Sequence, residues 1–240
     1  VHGTLDVAGA LSVSCNYFFY EVGDMLTNEQ LDETAKALGL GEPTGVELEE
    51  STGQRANPET KKELHTGTDA SWWNGDNLTA AIGQGDNRFT PLQMAVYTAT
   101  LANKGVRYKA TFMNRVVSAD YRELLAENKP KVLSKMEMDP ATVNAYIEGM
   151  KLVVNNPNGT AFSPEWYPLH VEVAGKTGTA EHVPGKSDHG AFVCFAPADD
   201  PQIAIAVIIE KGWQGLAQTA RSLISALDNR LYQAYWPQLQ

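Results

Sequence analysis

The last third of the chain constrains the fold most. "VEVAGKTGTAE", "GAFVCFAPA" and "QIAIAVIIE" are three apolar, β-branched runs separated by the short turns "PGKSDHG" and "DDP". Connections this short suit an antiparallel meander and exclude parallel crossovers. The third run is apolar almost throughout, so both faces of the sheet are expected to be covered. The covering elements are legible as helices. Thr90 and Pro91 open one with Met94, Ala95, Thr98, Leu101 and Ala102 along a face, and Asn103-Lys104-Gly105 closes it. Asp139-Pro140 opens another, with Val143, Ile147, Met150 and Val154 on one side. A closing helix is expected from about Gln214 to Tyr235. Together these predict an α/β (α+β) sandwich, an antiparallel sheet flanked by helices.

Towards the N-terminus the pattern is more broken. Leu5, Ala8 and Leu11 keep a helical spacing, as do Phe18, Phe19, Val22 and Met25. The polar break between them places Ser14 and Asn16 in a short interhelical connection. "TNEQLDETAKALGLG" reads as a helix capped by Thr27 or Asn28 and stopped at Gly39 or Gly41. From Glu42 to Asp76 the composition predicts a long surface excursion with a short strand at "GVELEE". Trp72 and Trp73 within it are read as packing anchors. "TFMNRVVSA" is strand-like, and "NNPNGT" is a run of turn residues.

With 240 residues and 43% hydrophobic content, one domain is the default. The net charge of −10 excludes sequence-independent nucleic-acid binding, which needs a basic surface. Cys15 and Cys194 are too few for a disulfide scaffold and lack metal-ligand spacing, although a bond between them stays open. His182 and His189, near Glu181 and Asp188, converge too loosely for a metal site. No metal and no cofactor is expected.

The chemistry concentrates around Lys176-Thr177-Gly178-Thr179. On a strand, Lys176 and Gly178 share one face, Thr177 and Thr179 the other. Glycine inside a strand marks close approach by a ligand or another backbone. A cation beside hydroxyls suits a carboxylate, and free edge N–H groups suit an extended peptide. The bland alternative is a solvated edge lysine that discourages aggregation. Ser14-Cys15-Asn16 bears on this choice, because Ser-x-Asn followed by Lys-Thr-Gly is an order shared by penicillin-binding proteins and serine β-lactamases.

Three blocks extend the likeness: "HGTLDVAGALSVSCNYFFYEVG", "AIGQGDNRFTPLQMAVYTATLANKG" and "AGKTGTAEH…AFVCFAPADDPQIAIAVIIEKG". They closely resemble the class B, high-molecular-weight penicillin-binding proteins, in the family's order from His2 to about Trp213. The resemblance implies a D,D-transpeptidase domain that cross-links peptidoglycan stem peptides by serine acyl transfer and is a target of β-lactams. Ser14, Asn16 and Lys176 would be catalytic. Lys176, Thr177, Gly178 and Thr179 would line the site for the terminal carboxylate of a D-Ala-D-Ala peptide. The Thr179 N–H would be an oxyanion donor. The implied location is the extracytoplasmic face of the bacterial membrane, with an N-terminal helical anchor outside this chain. Stem peptides, β-lactams and other cell-wall synthesis proteins are the implied partners. A serine β-lactamase or β-lactam sensor, and a non-catalytic peptide-binding relative, are the alternatives.

One family element is missing. No serine here has a lysine three residues later; Ser134 comes nearest, with Lys135 adjacent to it. The expectation is that residues 1–240 are the C-terminal part of one transpeptidase domain, inactive alone, whose nucleophile segment lies upstream and completes it. One face of the sheet should then carry a large apolar patch or be covered by another chain.

Overall fold

The computed structural model describes residues 2–166, 169–180 and 187–212, together with 219, 222, 224 and 225. The expected helix after Gln214 and the residues Glu181 and His182 lie almost wholly outside this set.

Helix α1 (Val7–Ser12) is capped by Asp6, whose carboxylate accepts from Gly9 N. Helix α2 (Asn16–Met25) follows after a three-residue break, so Asn16 is its first residue and only Ser14 stays in the connection. Helix α3 (Asn28–Ala37) has the capping box of Thr27 and Gln30, and Gly39 beyond its end has φ +92°.

The expected excursion is more structured than its composition implied. It contains α4 (Pro58–Leu64), a single 3-10 turn (Gly67–Ala70) and the start of α5 (Asn74–Ala81). "GVELEE" forms no strand. The Glu50 carboxylate instead accepts from Thr44 N, Thr44 Oγ1 and Gly45 N, taking donors that a ladder would need. Trp72 is half-buried, with Lys61 Nζ 5.9 Å from its ring centre, but Trp73 is 64% exposed and is no buried packing anchor.

Helix α6 (Pro91–Ala102) opens as the sequence indicates, with a capping box between Thr90 and Gln93 and Pro91 in the first turn. Strands β1 (Val106–Tyr108), β2 (Arg115–Val117), β3 (Leu124–Glu127) and β4 (Val132–Lys135) form two small antiparallel pairs, β1 with β4 and β2 with β3. Helix α7 (Pro140–Asn155) is capped by Asp139 and buries Val143, Met150 and Val154.

The meander follows as β5 (Ala174–Ala180), β6 (His189–Ala196) and β7 (Ile203–Ile209), antiparallel and in the order β5-β6-β7. Both faces are packed. Alternation puts Phe192, Cys194, Ile205 and Val207 on one face, in an apolar cluster with Val153, Val154, Trp166 and Val173, and puts Ala174 and Phe195 on the other, in a second cluster with Ala102 and Met150. The expected apolar patch on the sheet is therefore not found among the described residues. Ile208 (38%) is the one large exposed apolar side chain of the described sheet; the most exposed lie elsewhere, for example Tyr17 (72%) and Met25 (79%) on α2. Both cysteines are free, and burial pushes the Cys194 thiol up to about 12.

Candidate active site

Helix α7 supports both sides of the site. On one side it carries α1. A Cβ on Gly149 would lie 2.7 Å from Leu11 Cδ1 and 3.1 Å from Ala8 Cα, so the missing side chain lets the two helices approach closely. On the other side it holds the head of β5. Lys151 Nζ pairs with the Glu172 carboxylate at 2.6 Å, and Asn155 Nδ2 donates to Val173 O at 3.2 Å. The α1–α2 turn and the β5 strand are thereby brought together across 162 residues of chain.

Ser14 sits in that turn with φ 51°, a conformation uncommon for any residue but glycine. The turn is held by Ser14 N to Leu11 O (3.2 Å) and Cys15 N to Ala10 O (2.9 Å). Lys176 Nζ donates to Ser14 Oγ at 2.8 Å and to Thr177 O at 2.7 Å. The lysine is therefore not a solvated edge charge. Burial drives its pKa down to about 8, because the ammonium loses water without gaining a carboxylate among the described residues. At neutral pH it remains mainly protonated and donates to the serine oxygen. The Ser14 hydroxyl hydrogen is then free to point outwards.

Alternation along β5 separates Lys176 from Thr177, as the sequence implies, yet their polar groups meet. The lysine head curls back to the strand edge, while Thr177 Oγ1 lies 2.6 Å from Thr160 Oγ1. Thr160 comes from "NNPNGT", whose composition indicates only a turn. A Cβ on Gly159 would collide with the carbonyl oxygens of Leu152 and Val153, so this turn folds tightly onto the end of α7. Thr160 N then donates to Ser12 O at 3.1 Å, which ties the turn to α1.

The two glycines around the lysine have different causes. A Cβ at Gly175 would stand 2.7 Å from Phe192 Cζ and 3.0 Å from Val193 O, so packing requires this glycine. A Cβ at Gly178 would meet only Ala191 Cβ, at an ordinary 3.5 Å. Among the described residues nothing in the packing demands glycine there, and none of them covers the strand surface beside it. Thr179 is exposed, and its carbonyl accepts from Gln84 Nε2 at 2.6 Å. Gln84 lies in the "AIGQGDN" segment. Its proximity to the site could not be read from a loop 95 residues away. Asn16 begins α2 with its side chain exposed.

Among the described residues no group of three or more His, Cys, Asp or Glu side chains could hold a metal ion. A separate cavity of about 350 Å³ lies beyond the Gln84 loop, lined by Lys61, His65, Trp72, Trp73, Asp76 and Asp86 among others. It contains none of the sequence-derived site residues.

Comparison with known proteins gives a consistent result. Residues 1–226 match the model of the penicillin binding protein transpeptidase domain. The chain is 32% identical over 229 residues to the peptidoglycan D,D-transpeptidase MrdA of Acinetobacter baumannii, covering 89% of this chain and 33% of that protein. Among solved structures it resembles the penicillin-binding protein PBP2 from Helicobacter pylori (TM-score 0.78, 28% identity, 98% of this chain and 41% of that one). That protein has also been solved in complex with MreC, a match at TM-score 0.76 and 27% identity with the same coverage. The imipenem acyl-enzyme of penicillin-binding protein A from M. tuberculosis matches at TM-score 0.72 and 26% identity, over 93% of this chain and 47% of that one. The chain thus spans about a third of the length of the curated relative.

Proposed function

The chain belongs to the penicillin-binding protein transpeptidase family, and from that premise we propose that residues 1–240 form the C-terminal part of one D,D-transpeptidase domain. The observation that carries this reading is the Lys176–Ser14 hydrogen bond of 2.8 Å at the open edge of β5. It supplies a proton donor beside a strand edge suited to an extended peptide.

In this reading a donor stem peptide ending in D-Ala-D-Ala lies along β5, its terminal carboxylate near Lys176, Thr177 and Thr179. The nucleophilic serine belongs to a Ser-x-x-Lys segment outside residues 1–240. It attacks the penultimate carbonyl, and the developing oxyanion takes the Thr179 N–H, a type of donor worth about 2.7–4 kcal/mol. The Ser14 hydroxyl gives its proton to the departing D-alanine nitrogen and is reprotonated by Lys176. The Asn16 amide holds the donor's peptide carbonyl. An amine of a second stem peptide then attacks the ester, which releases the serine and forms the cross-link. β-Lactams acylate the same serine. Among the described residues no helix is long and apolar enough to cross a membrane. The anchor that would hold the domain at the extracytoplasmic face belongs, in this reading, to another segment, and other cell-wall synthesis proteins are its partners there.

The test compares residues 1–240 with the longer protein that carries them together with a Ser-x-x-Lys segment. Both are treated with fluorescent penicillin. The longer protein should take up one heat-stable label and release it slowly, whereas rapid release would favour a β-lactam hydrolase. A stoichiometric label on residues 1–240 alone would overturn the assignment of the nucleophile to another segment.

A further inference from the structure

In an antiparallel strand, the N–H and C=O of one residue point to the same side, and successive residues alternate. Strand β5 pairs only with β6 among the described strands, so one of its sides is a free edge. Two of its carbonyls accept hydrogen bonds from side chains and not from a neighbouring strand. Thr177 O takes Lys176 Nζ at 2.7 Å, and Thr179 O takes Gln84 Nε2 at 2.6 Å. Both outward acceptors at the site end of this edge are therefore occupied. A peptide adding as a further strand needs such an acceptor for its own N–H.

Gln84 is mounted so that only its side chain can yield. It stands between Gly83 (φ 79°) and Gly85 (φ 71°), which fold the turn that presents it. Its N–H donates to Thr79 O at 3.0 Å, and its carbonyl accepts from Asn87 Nδ2 at 3.2 Å. Asn87 in turn accepts from Ala56 N at 2.9 Å. Asp86, two residues after Gln84, is held through its carbonyl by Gln54 Nε2 at 2.8 Å and through its carboxylate by His65 at 3.0 Å. With the backbone fixed on both sides, rotation of the side chain is enough to expose the Thr179 carbonyl.

We propose that Gln84 is a side-chain gate that stands in for a substrate amide: its Nε2–H₂ occupies the Thr179 carbonyl until a ligand bringing its own amide N–H takes that acceptor. This rests on the transpeptidase reading and adds a specificity determinant to it. The gate should tax ligands that use the carbonyl and leave others untouched.

The test uses the longer protein and two β-lactams: benzylpenicillin, which carries an acylamino N–H, and imipenem, which has none. In Gln84→Ala the ratio of the two acylation rate constants should move towards benzylpenicillin by about two- to tenfold, the factor that one neutral hydrogen bond is worth. Gln84→Asn, whose shorter side chain cannot span the same gap, should move it in the same direction. An unchanged ratio, or a fall of both rates by one common factor, would overturn the gate and leave Gln84 as a brace. Absence of any adduct on the unsubstituted protein would overturn the transpeptidase reading and the gate with it.

Discussion

Strand β5 has two ends with opposite surroundings. Ala174 and Gly175 are buried between Phe192, Phe195 and Met150, and the glycine has no room for a methyl group. Four residues on, Thr179 is exposed, and its outward hydrogen-bond partner is a loop glutamine. Lys176 lies at the transition, with its stem in the packed half and its ammonium at the open edge. The packed half fixes where the lysine head sits; the bare half leaves a length of backbone for something else to use. Glycine appears in both halves, excluded from growth by the protein in one and leaving space in the other.

The strongest challenge to this contrast is Lys176→Met in the longer protein. Acylation by penicillin should fall about 10²- to 10⁴-fold, the usual contribution of a positioned proton donor. Thermal stability should hold or rise, since a buried charge has been removed. Parallel losses of stability and rate would make the lysine part of the packed half only.

Titration sharpens the same point. The folded-state pKa of Lys176 is about 8, below the unfolded value of ~10.4. Below about 8 the lysine is charged in both states, and its burial costs the folded state stability. Between those values the unfolded chain binds a proton that the folded chain does not, so this cost disappears as pH rises. The stability gap between the native protein and Lys176→Met should therefore narrow over that window. A gap independent of pH would contradict the burial of the ammonium.

The glycines provide a direct pair. Gly175→Ala should lose about 1–3 kcal/mol to overpacking against Phe192. Gly178→Ala should stay within about 0.5 kcal/mol in stability and yet slow acylation, because the methyl group intrudes on the ligand's side. Denaturant melts and acylation rates measured on both variants check this; equal losses of stability would erase the distinction. In the same melts Thr160→Val, which removes the Thr177 contact, should cost about 0.5–1.5 kcal/mol.

The packed half was the legible half. Thr90-Pro91 and Asp139-Pro140 state their helix starts in local chemistry, and the apolar runs of β6 and β7 state their burial. The pairing of Ser14 with Lys176 was legible only through the family resemblance, because no local pattern links residues 162 apart. Helices α4 and α5, of seven and eight residues, escaped because they are too short for a periodic stripe to stand out from loop composition. Glu50 defeated the strand expected at "GVELEE" by folding back onto the backbone of Thr44 and Gly45, a local bond that residue type does not announce. Thr160 and Gln84 reach the site from turns, where a residue's type reports the bend and not its tertiary neighbour.

The contact at Gly149 works as a thickness gauge. Helix α7 is the common base for serine and lysine, so a displacement of α7 carries both along and preserves their spacing. A side chain at position 149 would act as a shim under one of them alone. It would lift α1, and Ser14 with it, while β5 stayed seated on Lys151 and Asn155. The gap between the proton donor and its relay is thus set on a helix that contributes no group to either.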